Sequence, residues 1–447
     1  MSGCGFKQAL DSKGKPVVVL VHGTFAADES DRGDKWWQYG SGFREELSAR
    51  LGDEFAADEH SPIFHWTGQN TFNDRKWASI VLRDLIHTLE DKEIDYHLVG
   101  HSHGGSVILG ALALDAFERS VSESTNQAKV PIPKSLLHLK SWTTVGTPFI
   151  STKNADALGL IRGLALNAFL SVLSFIFFIV SAFLAAFFFL EESSSGGIVF
   201  LAASCVFIFW GIYLSKSFRT YWRLPNIRRL DQVAAEIYTK YWLGISSDED
   251  EAINGLRLAL EMSVPVLPRK IATPTVKGLD KVHYHWQDMI NCAFYNKLLR
   301  PIANRMLIRR FRRSAYGNDQ IRLKVEDVHM IPPYMKVVIP DMPKSIACDL
   351  TDQANESMAK IIPNLRSQIG VASGVDGSVF QFLANDEMKD DYLKSLVHTS
   401  YLSHAGIIDL ISARIRYAQN GDSGLDHMNL PDEYHSFLKL FDDAVNN

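Results

Sequence analysis

The apolar positions along the chain follow two periods in alternation. Val17-Val18-Val19-Leu20-Val21 has no polar position, which predicts a strand covered on both faces and hence a parallel sheet. Phe43 to Leu51 has helical spacing, and Ile63-Phe64-His65-Trp66 reads as the next strand. Asp74 to Leu89 puts Trp77, Leu82, Leu85, Ile86 and Leu89 on one helical stripe. A strand-like run through Val99 meets Gly100-His101-Ser102-His103-Gly104, and the small-residue run Val107 to Leu114 then favours a helix. Leu137 to Thr144 is a further strand that ends at Gly146-Thr147-Pro148. Next come a helix over Asp231 to Tyr241, a short strand over Trp242 to Ser247, and helices through Leu260, over Ala354 to Ile369 and over Ala405 to Ile415. Strands alternating with helices predict an α/β fold built on a mostly parallel, doubly wound sheet.

One region has neither period. Ala165 to Leu190 is apolar and uncharged. At ~1.5 Å per residue a helix of that length exceeds a hydrocarbon core of ~30 Å. The polar turn Glu191 to Gly197 separates it from a second apolar run, Ile198 to Leu214. Lys153 and Arg162 precede the pair, Lys216, Arg219 and Arg223 follow it, and the turn carries only acids. This bias predicts a transmembrane hairpin over 163–214, its helices at about 165–190 and 198–214, with both flanks on the cytoplasmic side. Leu298 to Arg313 reads as a basic amphipathic helix, suited to an anionic leaflet or to a solvated face packed on the rest of the chain.

Composition adds exclusions. The 447 residues are 46% apolar and 22% charged with a net charge of −5, which is ordinary for a globular chain and of the wrong sign for a nucleic-acid partner. Cys4, Cys205, Cys292 and Cys348 are scattered, so neither a disulfide framework nor a zinc site is indicated. His283-Tyr284-His285 lacks a third ligand in register. No metal and no cofactor is expected.

The candidate chemistry lies at strand ends. In Gly100-His101-Ser102-His103-Gly104, a strand–turn–helix context would stand Ser102 Oγ at the N-terminus of a helix, where a developing oxyanion is favoured. The same turn points the His101 and His103 side chains away from the serine. Upstream, a strand ends in His22-Gly23-Thr24, where the glycine lets the chain turn and aim the next N–H at the reaction centre. Downstream, Asp248 and Asp250 both follow a strand and precede a helix, and helix capping also fits both. His398 and His404 both precede the apolar helix beginning at Ala405.

Taken together, His22-Gly23-Thr24, Gly100-His101-Ser102-His103-Gly104-Gly105, Gly146-Thr147-Pro148, Asp250-Glu251-Ala252-Ile253 and His398-x-x-Tyr401 resemble the α/β-hydrolase superfamily, and within it the lipase- and esterase-like serine hydrolases. The resemblance covers roughly residues 14–150, 230–262 and 385–416. It implies an α/β-hydrolase fold with core segments 14–150, 229–262 and 385–416. A transmembrane hairpin and a helical cap insertion, 263–384, would interrupt that core, and a polar tail, 417–447, would end the chain. It implies Ser102 as nucleophile, Asp250 in preference to Asp248 as acid, and His398 in preference to His404 as base. It also implies the backbone N–H groups of Thr24 and His103 as an oxyanion hole. The implied reaction is ester hydrolysis through an acyl-enzyme. With a bilayer as partner, lipid esters are the expected substrates of such a lipase, phospholipase or esterase. A thioesterase and a non-catalytic membrane-anchored scaffold or effector are the alternatives.

Overall fold

A computed structural model describes residues 5–7, 12, 14–123, 136–153, 178–180, 227–261, 301, 324–372, 396–426 and 428–446. Five consecutive apolar side chains need cover on two sides, and every residue of β2, Val17–Val21, is buried. Covering each such side chain contributes about 1.5–3 kcal/mol. β2 pairs in parallel with β4, Tyr96–His101, which pairs with β5, Leu139–Val145, which pairs with β7, Trp242–Ile245. The register aligns Val21 with Gly100, Gly100 with Thr144, and Thr144 with Gly244. All four strands therefore end at one edge, and whatever follows them gathers there. Ligands of open parallel sheets bind at that edge.

Helices supply the cover. α1, Gly42–Leu51, packs on α8, Ala405–Asn420, while α2, Phe72–Asp91, packs on α3, His103–Glu123. α3 also lies against β2, β4 and β5, and α8 lies against β5. A short antiparallel pair, β1 (Gly5–Lys7) with β3 (Ile63–His65), forms a second sheet, and Ile63 and Phe64 of β3 join the main core. The Gly-Thr-Pro turn leads into β6, Phe149–Lys153. α4, Ile227–Tyr238, precedes β7, and α5, Glu251–Glu261, follows it. Ile253 and Leu256 of α5 pack on Val328 of β8, Lys324–His329. Ile346, Leu350 and Ala354 of α6, Lys344–Ala372, belong to the main core, although they fall in the stretch read as a cap. So do Tyr434, Phe437 and Phe441 of α9, Asp432–Asn446, in the stretch read as a polar tail. His398 lies on α7, Val397–Ser400.

The chain divides into two compact units, 1–151 with 230–321 and 325–447, and 152–229 with 322–324. The first holds the sheet and every candidate site residue.

The membrane reading is corrected. Among the described residues no helix is long and apolar enough to cross a membrane. The expected multi-pass placement, with a cytoplasmic catalytic part, is therefore withdrawn. Of the apolar runs 165–190 and 198–214, only the helical residues 178–180 are described. The basic stretch Leu298 to Arg313 (apart from residue 301) and His283-Tyr284-His285 also lie outside the described residues, as do Cys4, Cys205 and Cys292.

Candidate active site

Ser102 sits between the last residue of β4 and the first of α3 with φ of +53°. A left-handed backbone costs a non-glycine residue about 1–2 kcal/mol, so the surrounding structure must impose it. Two contacts do so. The Ser102 N–H donates to Val145 O at 2.9 Å, and the Gly105 N–H donates to Ser102 O at 3.1 Å. Gly104 permits the turn, because a Cβ there would fall on the backbone carbonyl of Val21. The Gly-Thr-Pro turn braces it from the other side: Gly146 N–H donates to Ile245 O, and Ser106 Oγ donates to Pro148 O.

The loop after β2 closes over the serine. A Cβ on Gly23 would lie 2.6 Å from Ser102 Cβ. Aromatic packing holds this loop. His22 stacks between Trp37, at 4.9 Å between ring centroids, and Trp66, at 5.5 Å. Trp66 Nε1 donates to His22 O, and Trp37 Nε1 donates to Ala26 O. Trp37, in the polar loop after β2, is 1% exposed. The Phe25 N–H is engaged by Gly68 O at 2.9 Å. That leaves the N–H groups of Thr24 and of His103, the first residue of α3, without a partner among the described residues.

Asp250 and His398, 148 positions apart, meet directly. His398 Nδ1 lies 3.0 Å from Asp250 Oδ1 and 2.9 Å from Oδ2. A carboxylate accepts only, so Nδ1 carries the proton and Nε2 keeps the free lone pair. Asp250 is also the cap of α5: its Oδ1 accepts from Ala252 N and Ile253 N, each at 3.0 Å. Ser102 and His398 retain 8% and 9% of their surface, whereas Asp250 retains none. Ser102 Oγ makes no hydrogen bond to a described residue. The His398 ring is placed against His101, the residue preceding the serine, at 4.9 Å between centroids. Tyr401, whose ring lies 6.4 Å edge-on from that of His398, is fully buried, and its hydroxyl accepts from Ser247 N at 2.9 Å. Burial, then the Asp250 charge, raise its pKa well above 10.

The competing residues separate on the same geometry. Asp248 is exposed, and its backbone carbonyl accepts from Asn254 Nδ2. His404 caps α8, its Nδ1 accepting from Gly406 N at 3.1 Å, and its Nε2 is 3.8 Å from Asp349. His101 Nε2 donates to the backbone carbonyl of His398 at 2.8 Å, which commits its single neutral proton. Glu251 has no assigned role in the sequence reading, yet its carboxylate accepts from Val397 N and His398 N. Nothing local in the sequence signals a contact across 146 positions.

Several histidines are held neutral. Burial lowers the pKa of His101 to about 3, helped by His398, and that of His97 to about 3. It lowers His22 to about 4. Burial, then the charges of Arg75 and His398, push His103 well below 6.5. Unfolded histidines take up protons below pH ~6.5, whereas these stay neutral in the fold. Their contribution to stability is therefore complete above ~6.5 and is lost as pH falls toward 4 and 3, at about 1.4 kcal/mol per histidine per pH unit. Thermal unfolding followed from pH 7.5 to pH 5 is expected to show a steep fall in Tm. A Tm unchanged over that range would mean these side chains are not buried neutral.

The sequence matches no known protein-family model and no curated protein.

Proposed function

We propose that the chain is a serine hydrolase of α/β-hydrolase type that cleaves carboxylic esters through an acyl-enzyme. The observation that carries this reading is a serine in a left-handed turn at a sheet's C-terminal edge, whose preceding residue, His101, packs on a histidine with its Nδ1–H bound by a buried carboxylate. In the first step Ser102 Oγ attacks the ester carbonyl carbon and its proton passes to His398 Nε2. The tetrahedral oxyanion is held by the N–H groups of Thr24 and His103, each contributing on the order of 3 kcal/mol. The C–O bond to the alcohol then breaks, and the imidazolium returns its proton to the leaving oxygen. Water repeats the sequence on the acyl-serine and releases the acid. Asp250 holds the tautomer and stabilises the imidazolium throughout.

The preference for lipid esters rested on the membrane hairpin and does not survive it. Phe25, 84% exposed beside Thr24, supports substrates with an apolar acyl group. The test is a series of p-nitrophenyl esters and matching thioesters of increasing acyl length. A burst of one p-nitrophenolate per chain, absent in Ser102→Ala, supports the reading. Faster turnover of the thioesters would support the thioesterase alternative. No turnover of any member by folded protein would favour the non-catalytic one.

A further inference from the structure

We infer that Glu251 is a positioning residue for His398, holding its backbone as Asp250 holds its ring; this rests on the hydrolase reading proposed above. α7 is a four-residue helix, and its N-cap, Leu396, has no side chain able to accept a hydrogen bond. The first N–H groups of any helix lack partners within the helix. Here they are satisfied from another element: Glu251 Oε1 accepts from Val397 N at 3.1 Å and Oε2 from His398 N at 3.4 Å.

Three separate contacts therefore converge on one residue. Asp250 binds the His398 imidazole, Glu251 binds its backbone N–H, and His101 Nε2 donates to its backbone carbonyl. Asp250 and Glu251 are consecutive at the start of α5, so one helix end fixes both the ring and the main chain of His398. A carboxylate one residue from the acid is suited to this because its two oxygens can accept two adjacent N–H groups at once, and its charge favours the first turn of both helices. An alanine leaves both N–H groups to water. A glutamine keeps one accepting oxygen.

The test compares wild type with Glu251→Ala and Glu251→Gln by ester kinetics, by Tm, and by the downfield proton resonance of His398 Nδ1–H. Glu251→Ala is expected to lower kcat on the order of 100-fold, the scale set by small misplacements of a catalytic group, with KM within about twofold. It should also broaden or shift the downfield resonance. Glu251→Gln should recover part of both. An unchanged resonance and kcat in Glu251→Ala would overturn the proposal, as would a lowered Tm with kcat and resonance unchanged. If wild type cleaves no ester, the hydrolase reading fails by itself. The resonance then still decides whether Glu251 orders His398.

Discussion

Asp250→Asn is expected to lower kcat for ester cleavage about ten-thousand-fold while the fold persists. The size of the effect follows from which way an amide must face. Asp250 Oδ1 accepts the Ala252 and Ile253 N–H groups that begin α5. In the asparagine the amide oxygen is the only atom able to do this, so the NH2 group takes the place of Oδ2, facing His398 Nδ1. An N–H cannot accept, so the nearer of the two Nδ1 contacts, 2.9 Å against 3.0 Å to the retained oxygen, sets donor against donor and favours the tautomer in which Nδ1 accepts. The imidazole proton moves to Nε2, which then has no lone pair for the Ser102 hydroxyl. The substitution also removes the charge that stabilises the imidazolium. Steady-state kinetics with a p-nitrophenyl ester measure the loss, and a Tm close to wild type shows that the α5 cap survives. A kcat within tenfold of wild type would mean that Asp250 does not orient the base.

Gly104→Ala is expected to destabilise the protein by about 3 kcal/mol or more. Its Cβ would land on Val21 O and 2.8 Å from His22 O. Both obstacles are backbone, one at the end of β2 and one in the loop beside Ser102. Neither can move without displacing the sheet edge or the elbow. A useful control is Gly255→Ala, a glycine within α5 that has nothing within 4 Å of its added Cβ. There the gain in helix propensity is expected to raise stability by about 1 kcal/mol. The urea midpoints of the two variants should move in opposite directions. If Gly104→Ala unfolds at the wild-type midpoint, the tight packing of the elbow on β2 is wrong.

Much of the sheet was legible because it rests on local periodicity. Val17–Val21, Leu139–Val145 and Trp242–Ile245 all appear where apolar runs predicted strands, and the turn around Ser102 follows from two glycines and the flanking pattern. The choice between Asp248 and Asp250, or between His398 and His404, was not local. It depends on which side chains meet across 148 positions, and only packing decides that. The stacking of Trp37 and Trp66 on His22 is invisible for the same reason. The last helix is legible within a polar stretch: Tyr434, Phe437, Leu438, Phe441 and Val445 keep helical spacing. The membrane placement rests on hydropathy and flanking charge in the sequence, and no described helix carries it.

The central claim is that Ser102 is a nucleophile activated by His398 and Asp250. It is tested most directly by incubating the folded protein with a fluorophosphonate, which phosphonylates an activated serine, and mapping the adduct by peptide mass spectrometry. The account predicts stoichiometric labelling at Ser102 that is abolished in Ser102→Ala and slowed by orders of magnitude in Asp250→Asn. Folded wild-type protein that carries no adduct at Ser102, or the same labelling in the presence and absence of the Ser102 hydroxyl, would contradict it.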